Sequence, residues 1–479
     1  MSGTSRHVLM ARGALRDEMA AGELGDRRLN ARRDRVLDVL ERHPDVSFPE
    51  ACGSDADTEA CYRFLRNPRV SLEHLLQPHV EATVRRCHAV GDVLVIHDST
   101  ENCFSGEKPR SGLAPQGPRR QSYWLHASLA VSADEVRAPL GVLALSTFVR
   151  PPDPTREAKP HWRVRFRDPE KQSRRWAAGV ETVRTRLGEA VRPIHVMDRE
   201  GDNYELFSAL VTAGERFVIR VQYDRTLVPG DAADAAATLL AARPLAPLGQ
   251  CTVSVASRQV GKRPRPVVAK RPARRARVAV VNVAAAAVTV KRPRDYRAPW
   301  PRALAVHVVY VWEPAPPPGE PPLEWCLVST EPVDDVQQVL RVVEWYRRRW
   351  LIEEFFKCLK TGCAYEKRQL ESLQTLLVAL GLLAPIAWQL LLMRHLARDV
   401  PEARATVALT PRQIAVLRAT PAGQQLTRRP SLGDALLVVA RLGGHLRQNA
   451  EPGWLVLTRG MQTLRTMEAG WAAAEATHK

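Results

Sequence analysis

Apolar residues at helical spacing open the chain. Between Glu23 and about Arg69, Leu29, Val36, Leu37 and Leu40 recur at intervals that predict an amphipathic helix, set among Arg27, Arg28, Arg32, Arg33, Arg35 and Arg42. A second helical stretch from Thr58 to Arg66 stops at Asn67-Pro68, which completes a small helical module. The period then changes. Val93-Leu94-Val95-Ile96 is a short apolar run ending in His97-Asp98-Ser99-Thr100, and Trp124 to Val131 and Leu140 to Ser146 predict further strands. The intervening Glu101 to Arg120, rich in Gly, Pro and basic residues, predicts a mobile loop. Val183 to Ala190 reads as helix, Pro193 to Met197 as a strand ending in Asp198, and Arg216 to Arg220 as another strand. Strands alternating with helices predict a mixed α/β fold.

From about Thr226 to Glu324 that rhythm gives way to Pro-rich turns and short β-prone runs. Within it, Lys262 to Arg277 and Lys291 to Arg302 are nearly free of acidic side chains. A β-rich insertion with a basic surface fits; a disordered basic linker is the alternative, and the regular apolar runs count against it. Leu323 to Val328 resumes strand character, Val336 to Leu359 predicts one long amphipathic helix, and the chain from about Leu373 is helical with a polar break around Asp399 to Pro430. Leu376 to Met393 could pass for a membrane span, but Pro385 and Gln389 favour a buried core helix. No fixed-period repeat is present.

Composition narrows the class. A chain of 479 residues with 45% hydrophobic and 25% charged residues is globular, with a soft prior of about three domains. Its 70 Lys and Arg against 52 Asp and Glu, a net charge of +18, point to a polyanionic partner: nucleic acid first, an anionic membrane second. Eight cysteines without a CxxC pair, and no apolar run of signal-peptide type at the start, are the pattern of reduced thiols in a cytoplasmic protein.

Three carboxylates stand out by position. Asp98 and Asp198 each follow an apolar strand, and the carboxyl ends of strands are where an open α/β sheet places its site. Glu353 lies in the predicted long helix, where Tyr346, Glu353 and Lys360 are spaced by seven and Arg349 falls four before Glu353. Such spacing aligns a phenol, a guanidinium, a carboxylate and an ammonium on one face. A solvated face laced by pairs such as Arg349 with Glu353 is the bland account. The functional one is that two Asp and one Glu hold two divalent metals while Tyr, Arg and Lys grip phosphates, and hard oxygen ligands select Mg²⁺ or Mn²⁺ over zinc.

The run Tyr346-Arg347-Arg348-Arg349-Trp350-Leu351-Ile352-Glu353-Glu354-Phe355-Phe356-Lys357-Cys358-Leu359-Lys360 closely resembles the Y-(2)-R-(3)-E-(6)-K signature of DDE transposases of the Tn-five type, in the IS-four group. The segments around Asp98 and Asp198-Arg199-Glu200 resemble the family's two Asp motifs, in the same order. Further matches are Leu24-Gly25-Asp26, Tyr62 to Pro68, and Ala440-Arg441-Leu442-Gly443-Gly444, so the resemblance spans nearly the whole chain.

It implies an α/β RNase H-like catalytic core with a β-rich insertion, flanked by an all-helical N-terminal DNA-binding domain and a helical C-terminal domain. The expected ranges are 1–72 for DNA binding, 73–372 for catalysis with 226–324 as the insertion, and 373–479 for dimerisation. The implied catalytic and metal ligands are Asp98, Asp198 and Glu353, the last chosen over Glu354, with two Mg²⁺ ions for which Mn²⁺ can substitute. The implied activity is cut-and-paste transposition through a hairpin intermediate. Trp325 matches the tryptophan on which the family stacks a flipped base, and Arg220 a DNA-contacting arginine. Arg32, Arg42 and Arg63 stand where the family contacts its transposon end.

The implied partners are transposon-end DNA, target DNA and a second copy of the chain, with no membrane, in the bacterial cytoplasm and associated with the nucleoid. Tyr204 stands where the resemblance leads one to expect a histidine. A DNA-binding regulator or decayed copy without catalysis, or a nuclease that never joins, are the competing functions.

Overall fold

The computed structural model describes residues 15–117, 119–150, 174–228, 238–240, 246–257, 274–294, 296, 299–446, 448 and 451–477. Much of the first basic run, 262–273, and residues 295, 297 and 298 of the second lie outside them. The first helices are α1 (Leu15–Ala20), α2 (Arg27–Arg42), α3 (Phe48–Cys52), α4 (Asp55–Leu65) and α5 (Leu72–Val90). Strands β1 (Val93–Ser105), β2 (Ala114–Pro115), β3 (Arg120–Ser132) and β4 (Pro139–Phe148) follow, then α6 (Arg174–Leu187), β5 (Ile194–Met197), α7 (Tyr204–Thr212) and β6 (Arg216–Arg220). Next come β7 (Gly249–Val255), β8 (Arg277–Lys291), β9 (Ala303–Trp312) and β10 (Glu324–Ser329). The described chain closes with α8 (Val336–Arg347), α9 (Trp350–Lys357), α10 (Leu373–Asp399), α11 (Pro411–Ala419), α12 (Leu432–Leu442) and α13 (Trp454–Thr477). Contacts divide it into two units: 1–168, 179–192 and 350–479 form the first, 169–178 and 193–349 the second.

In the first unit the helix starts are set by side chains: Asp26, Ser47, Ser54 and Ser71 each accept a backbone N–H at the head of α2 to α5. β1 and β3 pair antiparallel without a break from Val93↔Ser132 to Ser105↔Arg120, and β4 lies on the other edge of β3. Cys87, Val93, Val95, Ala130, Leu140, Leu143, Val183 and Leu187 form a core between the sheet, α5 and α6. The strand therefore outruns its apolar stretch. Asp98 is the sixth residue of β1 rather than its end, because the polar second half finds its hydrogen bonds on β3.

The expected mobile loop is thus shortened at both ends, and its described stretch 106–113 is tied down. Ser111 exchanges backbone hydrogen bonds with Glu371 and Leu373, and Arg110 Nε donates to Leu370 O at 3.0 Å.

Helix α10 is the one described helix long and apolar enough to cross a membrane, and 89% of its apolar window is buried within the protein. It packs on α5 and β4, with Trp388 Nε1 donating to Pro139 O at 2.9 Å. It is a core helix, as Pro385 and Gln389 suggest. The polar break after it contains α11, started by Thr410 and Gln413 in a reciprocal capping box.

A buried polar cluster fastens α1 to this core. Val142 N–H donates to His79 Nε2 at 3.0 Å, so the imidazole proton sits on Nδ1 and is given to Glu18 at 2.5 Å. Arg86 Nη1 reaches the other Glu18 oxygen at 2.6 Å. Burial alone would raise the Glu18 carboxyl, but the His79 and Arg86 interactions outweigh it and hold it at about 2. Burial also pushes His79 below its ordinary value, keeping the ring neutral.

In the second unit β5 runs parallel to β6, and β6, β10, β9, β8 and β7 continue as an antiparallel sheet. Helix α8 packs across β6, β8 and β9. Tyr204 is buried, its hydroxyl donates to Pro301 O at 2.9 Å, and its ring meets Tyr296 edge-on, so it fixes α7 to the β9 approach.

Because the Glu18 pKa is depressed on folding, its contribution is complete above the unfolded value of about 4.3 and is lost as pH falls from there toward 2. Glu18→Gln should cost about 1–3 kcal/mol at neutral pH and flatten acid unfolding between about pH 4 and 2, read by denaturant melts across pH.

Candidate active site

Asp98 and Glu353 belong to the first unit. In the unbroken register of β1, side chains alternate, so Asp98 shares a face with Ile96, Thr100, Asn102 and Phe104. Phe104 meets Tyr365 edge-on at 5.6 Å, and Tyr365 is held by the Tyr123 hydroxyl at 2.6 Å and by Leu376 O at 2.9 Å, so the segment after Lys360 covers that face. Asp98 Oδ1 accepts the Ser99 N–H at 2.7 Å, and α9, which carries Glu353, packs against β1. Asp98 and Glu353 are both half-buried, within reach of solvent.

The expected single helix carrying Tyr346, Arg349, Glu353 and Lys360 is interrupted. α8 ends at Arg347; Arg349 N–H bonds back to Tyr346 O at 3.0 Å, a tightened i to i−3 turn, before α9 begins. Beyond Lys357 the backbone widens into a π turn over Cys358–Gly362, closed by Cys363 N–H to Cys358 O at 2.9 Å. One tight and one wide turn thus flank the helix of Glu353, and Lys360 lies in the wide one. Such insertions recur at functional sites. Ala364 follows at φ 46°, a left-handed conformation that costs an L residue about 1–2 kcal/mol.

Lys360 is held rather than loose. Its ammonium donates to Glu101 O and pairs with Glu366 Oε1 at 3.1 Å, and the same carboxylate oxygen accepts Cys103 N–H at 3.0 Å. Glu366 has no sequence signal, since its partners come from β1. Arg368 is likewise unforeseen. Buried, it donates to Pro44 O, Val46 O and, at 3.0 Å, Cys363 O, joining the N-terminal helices to this segment.

Asp198 belongs to the second unit, directly after β5, and caps the short turn Arg199–Gly201 by accepting Glu200 N–H at 2.8 Å. Four residues on, Asp202 is buried and spent on structure: it accepts Gln222 N–H at 2.6 Å, Tyr223 N–H at 2.8 Å and Arg225 Nε at 2.8 Å. Of the three carboxylates in Asp198-Arg199-Glu200-Gly201-Asp202, Asp202 is committed to the fold, whereas Asp198 is half-buried and Glu200 exposed.

The second unit also gathers Trp325, Tyr346, Arg220 and Arg349. The Trp325 and Tyr346 rings meet edge-on at 5.7 Å. Arg220 donates to Glu324 O at 3.1 Å, and burial, with the charges of Arg199 and Arg349, pulls its pKa below the ordinary arginine value. Guanidiniums and an aromatic pair thus lie together within this unit.

Arg32, Arg42 and Arg63 are at least partly exposed and face acids of their own helices or neighbours: Asp57 at 3.8 Å, Asp38, and Glu59 at 3.8 Å. Such surface pairs hold weakly, about 0–1 kcal/mol, and exchange readily for phosphate. Arg33 differs. It is buried, bonded to Gly22 O and Asp34, and belongs to the core.

Among the described residues no group of three or more His, Cys, Asp and Glu side chains stands ready to hold a metal ion. Two of the expected ligands lie in one unit and the third in the other. The donor chemistry itself fits a hard divalent cation: three carboxylates, each half-buried.

Residues 11–70 match the family described as Transposase DNA-binding, and residues 164–388 match that described as Transposase DDE domain. The second range contains Asp198 and Glu353; Asp98 lies between the two.

Asp198→Ala should cost only about 1 kcal/mol, the loss of one cap, whereas Asp202→Ala strands the buried Arg225 and should cost about 3–5 kcal/mol. Thermal and denaturant melts of both variants check this; equal losses would show that Asp198 is also structural.

Proposed function

We propose that this DDE transposase, a metal-dependent enzyme that cleaves and transfers DNA, works by cut and paste on transposon ends. Asp98, Asp198 and Glu353 would hold two Mg²⁺ ions within an RNase H-like core, with 226–324 as its β-rich insertion. The order of the three motifs along the chain and the Tyr346, Arg349, Glu353, Lys360 spacing carry the reading. Metal bound there would stabilise the attacking and leaving oxygens of in-line displacement at phosphorus.

The chain's own residues orient the DNA. Lys360, already bonded to Glu101 O and Glu366, has three donors, and the third serves a phosphate oxygen. Arg349 and Arg220 take neighbouring phosphates, and Trp325, braced by Tyr346, offers the face on which a base stacks when the freed 3′ hydroxyl closes a hairpin. The helical N-terminal region, 1–72, reads the end through Arg32, Arg42 and Arg63, and 373–479 pairs two copies so that both ends are processed together. The freed 3′ hydroxyls then attack target DNA.

Cleavage of a plasmid bearing the native ends in Mg²⁺ tests the reading. Asp98→Ala, Asp198→Ala and Glu353→Gln should each lower cleavage about a thousandfold, roughly 4 kcal/mol, with binding retained. Cleavage at the wild-type rate by any of them would refute the assignment of that residue. Joining of pre-cut ends separates transposition from simple cutting.

Glu366 should act only through Lys360. Glu366→Ala is expected to lower cleavage about tenfold in the wild-type background and not at all beside Lys360→Ala. Equal losses in both backgrounds would assign Glu366 to folding alone.

A further inference from the structure

A cavity of about 300 Å³ opens in the helical C-terminal region of the first unit, lined by Pro421, Ala422, Gln424, Gln425, Arg441, His445 and Leu446. No carboxylate lines it. The Arg441 guanidinium makes no ion pair or hydrogen bond among the described residues, and its Nε is buried without a partner. His445, in the same lining, is only 9% exposed. A buried donor left unsatisfied costs about 1–3 kcal/mol, so the Arg441 Nε calls for a partner from outside the chain.

The site is built rather than incidental. α12 ends in a Schellman turn: Gly444, at φ 92°, sends its N–H to Arg441 O, and His445 N–H returns to Ala440 O at 3.0 Å. The reversal brings His445 back beside Arg441 and caps the last carbonyls of α12, which would otherwise face an incoming anion. Close packing fixes this end. A Cβ at Gly443 would stand 1.9 Å from Val456 O, and one at Gly460 1.9 Å from Val439 O, so α12 and α13 touch backbone to backbone. The glycines of Ala440-Arg441-Leu442-Gly443-Gly444 thus serve to hold one arginine and one histidine at a rigid mouth.

We propose that this cavity binds a backbone phosphate of DNA, at a contact separate from the three carboxylates. Its donors are the Arg441 guanidinium, the His445 ring and the Gln424 and Gln425 amides, and the donor-only positive guanidinium selects an anion such as phosphate. Pro421 and the exposed Leu446 give the apolar wall against which a deoxyribose rests. Arg428 and Arg429, three and four residues after Gln425 in the chain, are both exposed and add positive charge to this region.

The test uses the full chain with Arg441→Gln and His445→Gln, measuring duplex affinity across salt, melting with and without inorganic phosphate, and cleavage at saturating DNA. One lost phosphate contact should weaken binding about three- to tenfold at low salt and reduce the slope of log K against log salt by about one, equally for any sequence. Cleavage at saturating DNA should be unchanged, so failure here is distinguishable from failure of the catalytic assignment. Should Arg441→Gln unfold, His445→Gln, which keeps a polar group in place, decides. Unchanged affinity and slope would overturn the proposal. So would loss of phosphate-induced stabilisation without any change in DNA binding, which would make the cavity a pocket for free phosphate.

Discussion

The unbroken pairing of β1 with β3 is the constraint on which the first unit rests. Thirteen consecutive partners leave no bulge in which β1 could change faces, so the position of Asp98 is decided by the whole strand. The same register puts Val93 and Val95 into the core beneath and gives Asp98, Asn102 and Phe104 to the face that Tyr365 covers. From that face the rest follows. Glu101 O and Cys103 N–H are presented at the strand's edge to Lys360 and Glu366, and the segment they anchor continues into Arg368, which fastens the N-terminal helices. The N-terminal helices and Lys360 are therefore both anchored to one strand.

Departures from regular helix cluster beside Glu353. The tight turn at Arg349, the π turn at Lys360 and the left-handed Ala364 are each locally unfavourable; around the last two, Cys363 is bonded by Arg368, and Tyr365 by Leu376 and by the distant Tyr123. Local strain maintained by distant packing is how a fold fixes side chains in positions that a plain helix would not give.

Much of this was legible in the sequence. Period-two and period-3.6 runs located the strands of both units and the core helix α10, because burial on one face writes itself into the pattern. What escaped was whatever depends on partners far along the chain. Glu101 to Arg120 looks mobile by composition, yet Ser111 within it is pinned by Glu371 and Leu373. Arg32 and Arg33 are neighbours of the same type, and only the fold shows one exposed to solvent and the other buried against Gly22. The breaks around α9 were hidden for a different reason: a tightened and a widened turn offset each other, so the heptad spacing survives where the helix does not. Glu366 and Arg368 carry no motif at all.

The proposal that Asp98, Asp198 and Glu353 hold the same Mg²⁺ ions is open to a direct test. Iron-directed hydroxyl-radical cleavage of the DNA-bound protein tests it most directly, since Fe²⁺ occupying a Mg²⁺ site cuts the backbone nearest to it. The account predicts cuts in three places, around Asp98, Asp198 and Glu353, all suppressed together by excess Mg²⁺ and lost together in Asp198→Ala. Cuts around only one of the three residues, or cuts around Asp98 and Glu353 that persist unchanged in Asp198→Ala, would contradict it.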